Sequence, residues 1–335
     1  MIIKTPKFWF KNKNEINPLL FTLKPLSKIW EFFTRFRLIY GLWEKMPIPV
    51  ICIGNITVGG SGKTPVTMAL QLLLEDMGIR ACVVSRGYGG NNKYPHYVTK
   101  NDTFRKVGDE PIIISKKGAV IVSKVKKDGI MKAYKDGFDI VLLDDGYQNS
   151  QINKDLSLVV VDSEILFGNE YIFPLGPLRE SINSGLSRAN AIIFVSDNYK
   201  LNTSKIENLR SENKIPVIEG FIHKKKISKH NKNQKVLAFS GIAFPDKFFK
   251  TLDNMGYTIV KKKVFPDHYP YNLKDIIKLK NYAENYELKL ITTEKDIVRI
   301  PKKFHDFIDI IQIEFQFKNS NKMKRLVKNI LIENK

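Results

Sequence analysis

The chain has 335 residues, of which 43% are hydrophobic, and its 55 lysines and arginines exceed its 34 aspartates and glutamates to give a net charge of +21. This length and apolar content suit two globular domains and exclude an intrinsically disordered chain. The positive charge is typical either of a lysine-rich soluble surface or of a protein with an anionic partner, such as nucleic acid, anionic lipid or a phosphorylated substrate.

The first predicted element is an amphipathic helix from Pro25 to Trp43. Its apolar side chains are Leu26, Ile29, Trp30, Phe33, Phe36, Leu38, Ile39 and Tyr40, and its charged ones include Lys28, Glu31 and Arg35. The charges interrupt the apolar run and exclude a membrane-spanning helix. The pattern favours either a helix lying in the interface of an anionic leaflet or one packed on the protein's own core. We therefore predict a membrane-associating region over residues 1–45.

From residue 46 onward, short apolar runs alternate with helical segments. The runs are Val50–Ile53, Ala81–Val84, Ala119–Val122, Ile140–Leu143, Leu158–Val161 and Ala191–Val195. Nearly continuous apolar strands that alternate with helices indicate a parallel sheet covered by helices on both faces. We predict such an α/β domain over residues 46–222.

A polar stretch rich in lysine and asparagine, from about residue 201 to 234, is typical of a linker. Beyond it, strands are predicted at Val236–Phe239, Tyr257–Val260 and Leu290–Thr292, and helices near Phe244–Met255 and Leu273–Tyr286. These elements repeat the α/β pattern on a smaller scale. We predict a second, smaller α/β domain over residues 223–335.

A glycine-rich loop joins the strand Val50–Ile53 to a helix predicted from Lys63 to about Met77. In this context a Walker A motif binds nucleotide, because the glycines let backbone amides turn inward onto phosphate oxygens. Lys63 is placed to reach the β- and γ-phosphates of ATP, and the Thr64 hydroxyl to ligate Mg²⁺. The predicted nucleotide-binding residues are Thr57, Gly59, Gly60, Ser61, Gly62, Lys63 and Thr64.

The loop departs from the Walker A consensus at Thr57, where the first glycine is expected. The glycines nearest Lys63 are intact, so nucleotide binding remains the favoured interpretation. Related ATPases of the Mrp/MinD type carry an extra lysine just before the paired glycines. Val58 occupies that position here and argues against that branch.

Two acidic pairs are candidate site residues. Asp144 and Asp145 follow the strand Ile140–Leu143, at the carboxyl end where doubly wound sheets bind ligands. One of them can hold Mg²⁺ as a Walker B acid, and a helix cap or turn is the alternative. Asp109 and Glu110 lie in a turn bounded by glycine and proline, and spacing alone favours a solvated turn there.

Other loops carry isolated basic or titratable side chains. Arg86 lies in a flexible glycine-rich loop suited to phosphate or sugar contact, and Arg179 in a proline-rich loop is suited to neutralising a transferring phosphoryl group. His268 lies in the second domain, where a lone histidine is usually structural. The segment Thr292–Asp296 follows another strand end.

Together these segments resemble the tetraacyldisaccharide 4′-kinase family, the lipid A 4′-kinases. Seven segments carry the resemblance, in the family's order: 54–65 (GNITVGGSGKTP), 85–90 (SRGYGG), 107–111 (VGDEP), 144–149 (DDGYQN), 174–180 (PLGPLRE), 265–271 (FPDHYPY) and 292–296 (TTEKD). They extend over nearly the whole chain. Thr57 also matches the family's own form of the loop.

The resemblance implies an enzyme that uses ATP and Mg²⁺ to phosphorylate the 4′-hydroxyl of tetraacyldisaccharide 1-phosphate, giving lipid IVA. It implies two α/β/α domains joined by a β-ribbon linker, with the active site between them. It also implies a peripheral, monotopic enzyme at the cytoplasmic face of the bacterial inner membrane. Its expected partners are the acylated disaccharide 1-phosphate and the anionic membrane surface, and no nucleic acid is expected.

For the site, the resemblance implies that Asp109 is the catalytic base and that His268 pairs with it across the cleft. It thereby replaces the interpretations drawn from spacing alone. The predicted catalytic residues are therefore Asp109, His268 and Lys63. The predicted metal ligands are Thr64, Asp144, Asp145 and Glu110, and the predicted substrate contacts are Arg86 and Arg179.

Two other classes of function stay open on the residues alone. A P-loop switch acting on nucleic acid is supported only by the net charge, since the sequence lacks an RNA-recognition motif and an aromatic-basic stripe. A membrane-binding ATPase without kinase activity is compatible with the P-loop and the N-terminal helix.

Overall fold

The structure is a computed structural model that describes residues 6–10, 18–197, 207, 215–226 and 233–333. Its strands are β1 (Val50–Gly54), β2 (Ala81–Ser85), β3 (His96–Tyr97), β4 (Val120–Val122), β5 (Ile140–Asp144), β6 (Leu156–Asp162), β7 (Ala191–Ser196), β8 (Val217–Lys226), β9 (Lys235–Ser240), β10 (Thr258–Val264), β11 (Lys289–Thr293) and β12 (Ile308–Phe317). Its helices are α1 (Lys24–Ile39), α2 (Lys63–Asp76), α3 (Phe104–Val107), α4 (Asp109–Ile114), α5 (Lys126–Lys135), α6 (Ile182–Leu186), α7 (Pro245–Asn254), α8 (Leu273–Asn285), α9 (Glu294–Ile297) and α10 (Ser320–Glu333). Short 3-10 helices lie at Lys7–Phe10, Pro18–Leu23 and Lys302–Phe307.

The twelve strands of the described residues form one continuous sheet, in the order β10-β9-β11-β12-β8-β7-β6-β1-β5-β2-β4-β3. Neighbouring strands are parallel except at β3–β4 and β8–β12. The antiparallel β8–β12 pair divides the sheet into a first half, β1–β8, and a second half, β9–β12. The strands of the second half therefore run opposite to β1, β2 and β4–β8.

The register of β8 and β12 turns the carboxyl ends of the two halves toward each other. Strand β7 ends opposite Phe221 of β8, whereas β11 ends opposite Ile311 of β12, which pairs with Lys226. Lys226 lies five residues beyond Phe221 along β8, which corresponds to about 17 Å of extended chain. Because the two halves run in opposite directions, their carboxyl ends face each other across a cleft. Ligand-binding loops of both halves can thus meet there.

Both faces of the first half are buried. Successive residues of β1 point to opposite faces, so Ile51 and Ile53 join the core under α2, while Val50 and Cys52 join the core under α5. This two-sided burial explains why the strands appear as continuous apolar runs. The predicted P-loop NTPase-like sheet with helices on both faces is confirmed.

The second half repeats this arrangement with smaller cores. Val236 of β9 packs with α7 on one face, and Leu237 packs with α8 on the other. Strand β12 and helix α10 were not among the predicted elements. Met323 and Val327 of α10 pack into the α2 side of the first half's core.

The stretch predicted as a linker is partly strand. Residues 217–226 form β8, because Val217, Ile218 and Phe221 are buried and the backbone pairs with both β7 and β12. Most of the remaining stretch between 201 and 234 lies outside the described residues. The predicted domain boundary at residues 222 and 223 falls inside β8 and stays a prediction, since a shared strand does not show how the halves fold.

Helix α1 turns mainly polar residues toward the protein. Ser27 and Thr34 are buried with Leu38, and the Ser27 hydroxyl donates to the Ile172 carbonyl at 2.9 Å. The exposed side chains are Leu26, Ile29, Trp30, Phe32, Phe33, Phe36, Ile39 and Tyr40. A helix on a globular core normally buries its apolar side; α1 does the reverse. Among the described residues, no helix has the length and apolarity needed to cross a membrane.

Candidate active site

The glycine-rich loop between β1 and α2 is held in shape by a buried side chain. The Asn55 amide donates to the hydroxyls of Thr57 at 3.3 Å and Ser61 at 3.0 Å, so it bridges both sides of the loop. Gly62 is the N-cap of α2 and has a φ of +86°, a left-handed conformation that residues with side chains rarely adopt. The loop thus presents its backbone N–H groups at a helix N-terminus, the geometry that binds phosphate.

The proline-rich loop that contains Arg179 pairs with this P-loop. Val58 donates its N–H to the Pro177 carbonyl at 2.7 Å, and Arg179 donates its N–H to the Ile56 carbonyl at 2.8 Å. These bonds fix Arg179 beside the phosphate-binding loop. The predicted role of Arg179 at the transferring phosphoryl group stays a prediction.

Lys63, Arg179 and Asp145 meet at the mouth of the P-loop. Asp145 Oδ1 lies 3.5 Å from Lys63 Nζ and 3.3 Å from Arg179 Nη1. Burial raises the pKa of Asp145, but the charges of Lys63 and Arg179 outweigh burial and hold that pKa well below its ordinary value. Asp145 thus holds the Lys63 and Arg179 side chains next to each other.

Asp144 is the opposite case, an acid crowded by other acids. It is 3% exposed and accepts a hydrogen bond from the Ser85 hydroxyl at 3.1 Å. Burial first, and then the charges of Glu110 and Asp145, raise the pKa of Asp144 to about 6. Near it, Thr64 donates its hydroxyl to Glu110 at 3.2 Å. This end of the site is therefore suited to receiving a cation.

Lys126, a residue that sequence reasoning missed, orients the Asp144–Asp145 turn. Its buried ammonium donates to the backbone carbonyls of Asp144 at 2.5 Å and Asp145 at 2.8 Å. Burial lowers the pKa of Lys126, against the raising effect of the two aspartates. Nothing in its helical surroundings distinguishes Lys126 from the many surface lysines.

Asp109 and His268 come together from opposite halves of the sheet. Asp109 begins α4 and is 4% exposed, and its Oδ2 lies 2.8 Å from His268 Nδ1. His268 has a positive φ of 55°, and its N–H donates to the Gly241 carbonyl at 3.1 Å. Burial opposes both charges, but the contact lowers the pKa of Asp109 and raises that of His268.

Arg299 and Asp296 form a buried network behind this pair, which sequence reasoning also missed. Arg299 donates to Asp296 Oδ1 at 2.9 Å and to the Gly241 carbonyl at 3.0 Å, and its Nε lies 3.5 Å from Asp109 Oδ2. Asp296 also accepts from the Tyr271 hydroxyl at 2.7 Å. The network therefore anchors the loop that carries His268. Asp296 lies in the segment 292–296, but Arg299 lies outside every segment that carried the family resemblance.

Two lysine-glutamate pairs join the halves beside the dyad. Lys295 of α9 binds Glu110 Oε1 in a short contact, and Lys116 lies 2.7 Å from Glu294. Burial lowers the pKa of Lys295, but the charges of Glu110 and Asp109 outweigh burial, so the pKa lies above its ordinary value. Glu110, predicted as a metal ligand, is thus paired with a protein cation that sequence reasoning missed.

Arg86 is exposed and lies apart from the pairs described above. Its charge acts on the pKa of Lys126, which places it near the Asp144 end of the cleft. Two residues later, the ring of Tyr88 lies 5.3 Å from that of His268. The structure thus places the Arg86 loop at the edge of the cleft without bringing its guanidinium to the acids.

The arrangement combines a phosphate-binding loop, a crowded acidic site and a buried carboxylate–imidazole pair. Such a set can bind a nucleoside triphosphate, position a phosphoryl group and remove a proton from an acceptor. In the described part of the chain, no group of three or more histidine, cysteine or acidic side chains could hold a metal by itself. A cation here would need the Thr64 hydroxyl, phosphate oxygens or water as further ligands.

A model of the family described as tetraacyldisaccharide-1-P 4′-kinase, LpxK, matches residues 19–332. Proteins named tetraacyldisaccharide 4′-kinase are similar over most of their length. The one from Rhodospirillum centenum is 33% identical over 98% of this chain and 97% of its own, and the one from Paramagnetospirillum magneticum is 36% identical over 94% and 95%. The one from Rickettsia conorii is 37% identical over 90% and 89%.

A solved structure shares the fold. It is described as an "apo" form of LpxK from Aquifex aeolicus in complex with ATP, and it is 26% identical to this chain. The match has a TM-score of 0.75 and covers 93% of this chain and 99% of the other.

Proposed function

This chain belongs to the tetraacyldisaccharide-1-phosphate 4′-kinase family, and we propose that Asp109 and His268 are the dyad that serves its reaction. The reaction is the ATP-dependent phosphorylation of the 4′-hydroxyl of tetraacyldisaccharide 1-phosphate in lipid A synthesis. One observation carries the proposal for the dyad. Two residues 159 positions apart meet at 2.8 Å beside a P-loop, in the cleft where the carboxyl ends of both halves face each other.

Asp109 acts as the base. Its lowered pKa keeps it ionised at neutral pH, and His268 orients it through Nδ1. A carboxylate of low pKa is a weak base, but phosphoryl transfer has a loose transition state in which the acceptor proton leaves late. A weak, well-oriented base therefore suffices.

The P-loop binds the phosphates of ATP. Backbone amides from Gly59 to Gly62 and the Lys63 ammonium bind the β- and γ-phosphates, because a helix N-terminus attracts anions. Asp145 supports this role, since it holds Lys63 and Arg179 together at the mouth of the loop. Arg179 then neutralises charge on the transferring group.

Thr64, Glu110 and Asp144 fit a magnesium ion. Burial first, and then the charges of Glu110 and Asp145, raise the pKa of Asp144, and a divalent cation would stabilise these carboxylates in their charged form. Magnesium is usually held by one or two carboxylates together with substrate phosphates and water. Asp145 is the fourth proposed magnesium ligand. It becomes free to bind the ion when Lys63 and Arg179, which contact it now, bind the phosphates of ATP. When bound, the ion neutralises phosphate oxygens and fixes their geometry.

Arg86 and α1 contribute contacts to the lipid-linked substrate. Arg86 is exposed at the edge of the cleft, where it can meet the anionic 1-phosphate or the sugars. The exposed face of α1 lies in the membrane interface, since its aromatic side chains are flanked by Lys28, Arg35 and Arg37. The enzyme is then a peripheral protein at the cytoplasmic face of the bacterial inner membrane.

The kinase reaction is tested by product analysis. Full-length protein with γ-labelled ATP and disaccharide 1-phosphate in detergent should yield a lipid with a second phosphate at the 4′ position. Release of labelled phosphate without labelled lipid would support an ATPase instead.

The membrane proposal has a separate test. Phe33 is 64% exposed on α1, and Phe33→Glu should lower cosedimentation with anionic vesicles by about tenfold, through lost burial and added repulsion. Tyr286 is 59% exposed beside the end of α8, and Tyr286→Glu is the matched control, expected to partition like the wild type. Equal partitioning of both variants would contradict a role for α1.

A further inference from the structure

Two side chains from opposite halves of the sheet share one carboxylate oxygen in the cleft. Glu110 Oε1 accepts a hydrogen bond from the Thr64 hydroxyl at 3.2 Å and a shorter one from the Lys295 ammonium. Because both donors bind the same oxygen, the ammonium must lie beside the first turn of α2. The second half of the molecule thus delivers a positive charge to the end of the P-loop.

This position lies on the path between the two substrates. The P-loop ends at Lys63 and Thr64, where the γ-phosphate is held, and the base is Asp109, which directly precedes Glu110. With these roles, a phosphoryl group transferred from ATP to the acceptor would cross the space between Thr64 and Asp109. The Lys295 ammonium lies in this space, since it contacts Glu110, and its charge acts on both Glu110 and Asp109.

We propose that Lys295 is a further catalytic residue. Its ammonium moves away from Glu110 and binds oxygens of the transferring phosphoryl group. The proposal rests on the kinase function. The bond from the γ-phosphorus to the β–γ bridging oxygen breaks, a bond to the acceptor oxygen forms, the hydroxyl proton moves to Asp109, and ADP leaves. Lys295 stays protonated throughout and donates N–H bonds to the oxygens on which charge accumulates.

The local structure suits this movement. The backbone around Lys295 is anchored by the buried residues Asp296 and Arg299, while the Lys295 side chain is 31% exposed. A lysine carries a compact charge on a flexible stem, so it can change partners without moving its backbone.

The competing explanation is that Lys295 only clamps the two halves together. The chain offers a matched control, because Lys116 and Glu294 form a second lysine–glutamate pair between the same segments at 2.7 Å. Lys116 contacts the residue next to Lys295 but not Glu110. A clamp should respond alike to loss of either lysine, whereas a catalytic cation should respond only to loss of Lys295.

The experiment compares full-length Lys295→Met, Lys295→Arg and Lys116→Met. Lys295→Met should lower kcat by about 100-fold or more, the typical loss of one donor to an oxyanion. Its ATP affinity, measured by direct binding, and its KM for the lipid should stay within about threefold, because the contact forms in the transition state. Lys295→Arg should keep more activity than Lys295→Met, and Lys116→Met should keep kcat within about threefold.

A second readout does not depend on turnover. ADP with aluminium fluoride, a mimic of the transferring phosphoryl group, should bind wild type and Lys116→Met alike in the presence of acceptor, and Lys295→Met at least about tenfold more weakly. Equal losses in both lysine-to-methionine variants would overturn the proposal in favour of a clamp. Loss of ATP affinity in proportion to kcat would overturn it in favour of ground-state binding.

Thermal melting of each variant separates these results from misfolding. If Lys295→Met does not fold, Lys295→Gln and Lys295→Arg provide the same comparison. A wild-type protein that fails to phosphorylate the disaccharide would refute the kinase function itself. Normal wild-type activity with an unimpaired Lys295→Met would refute only the role of Lys295.

Discussion

Asp109 and Asp144 lie in the same cleft and are buried to a similar degree, yet their surroundings shift their pKa values in opposite directions. Asp109 contacts His268 and has the Arg299 guanidinium nearby, and its pKa falls below the ordinary range. Asp144 accepts from a neutral hydroxyl and stands near two other carboxylates, and its pKa rises to about 6. Burial alone raises both values, so neighbouring charges decide the difference.

The difference shows how the two halves divide the work. The cations around Asp109, which are His268, Lys295 and Arg299, all belong to the second half of the chain. Glu110 and Asp145, the acids near Asp144, belong to the first half. Together with burial they outweigh the charges of Lys126 and Lys63, so the pKa of Asp144 stays raised. The surroundings of Asp109, here called the Asp109 end of the cleft, therefore contain their cations once the halves meet. The surroundings of Asp144, the Asp144 end, can bind a further cation that arrives with ATP.

The substitution Asp109→Asn should have the largest effect on activity. This change removes the proposed base while keeping the side-chain shape, so kcat should fall by about 10³–10⁴-fold. Affinity for ATP should change little, because the partners of Asp109 lie in the second half rather than in the P-loop. Asp139→Asn is the control, since Asp139 accepts from the Arg80 N–H on the surface. A variant Asp109→Asn with near-normal kcat would show that the acceptor proton leaves by another route.

Arg299→Met tests whether the buried network supports the Asp109 end. It leaves Asp296, which is fully buried, without its cation, so unfolding free energy should fall by about 3 kcal/mol. Lys318→Met, which removes the exposed partner of Glu219, should cost less than about 1 kcal/mol. Urea titration measures both variants. Equal, small losses would mean that Tyr271, Ser240 and the backbone satisfy Asp296 without Arg299.

The sequence predicted the Asp144 end better than the Asp109 end, for a physical reason. The P-loop and Asp144 can be recognised from neighbouring residues alone. A glycine-rich loop between a strand and a helix indicates phosphate binding, and an acid at the end of a parallel strand indicates a ligand site. Spacing alone favoured a solvated Asp109 and a structural His268, and only the resemblance to a family paired them. Their contact depends on the offset between β8 and β12, which no local pattern encodes.

Lys126, Lys295 and Arg299 escaped prediction for a related reason. Each is a basic residue in a chain that has many, and its role appears only through partners far away in sequence. Lys126, for example, reaches carbonyls 18 and 19 residues away. The exposed face of α1 was undecided from sequence, because an amphipathic pattern does not show which side packs on the protein.

Asp144→Asn should change how the stability of the protein depends on pH. The pKa of Asp144 is about 6 in the folded protein, whereas the ordinary value for an aspartate, which applies to the unfolded chain, is 3.8. The folded state thus holds the proton more tightly, and wild-type stability should fall as pH rises from about 4 to above 6. Without nucleotide or magnesium, Asp144→Asn should gain about 2–3 kcal/mol relative to wild type between pH 4 and pH 8.

Chemical unfolding at each pH measures this gain. Saturating MgATP at pH 8 should remove it, because the cation then supplies the missing positive charge to the wild type. A gain that is independent of pH would mean that Asp144 does not titrate in this range and that the acidic crowding is weaker than the geometry indicates.

The smallest expected effect concerns His268→Gln, which should show a different pH window. The pKa of Asp109 is lowered from 3.8 and that of His268 is raised from 6.5. The stability from their ion pair is therefore fully present between about pH 4 and pH 6.5. It declines as pH rises through the folded pKa of His268 and as pH falls through that of Asp109. Because the His268 ring is partly solvated, the expected loss in His268→Gln is about 1 kcal/mol at pH 5.5 and less at pH 9.

The same pair of pH values in an Asp109→Asn background provides the control. Without the carboxylate, the main cause that raises the pKa of His268 is gone, so His268→Gln should then cost nearly the same at both pH values. A loss that persists with the same pH dependence in Asp109→Asn would assign the effect to Asp267, whose Oδ2 lies 3.9 Å from His268 Nε2. The Asp109 end would then owe its charge balance mainly to Arg299 and Lys295, and the histidine would serve orientation rather than electrostatics.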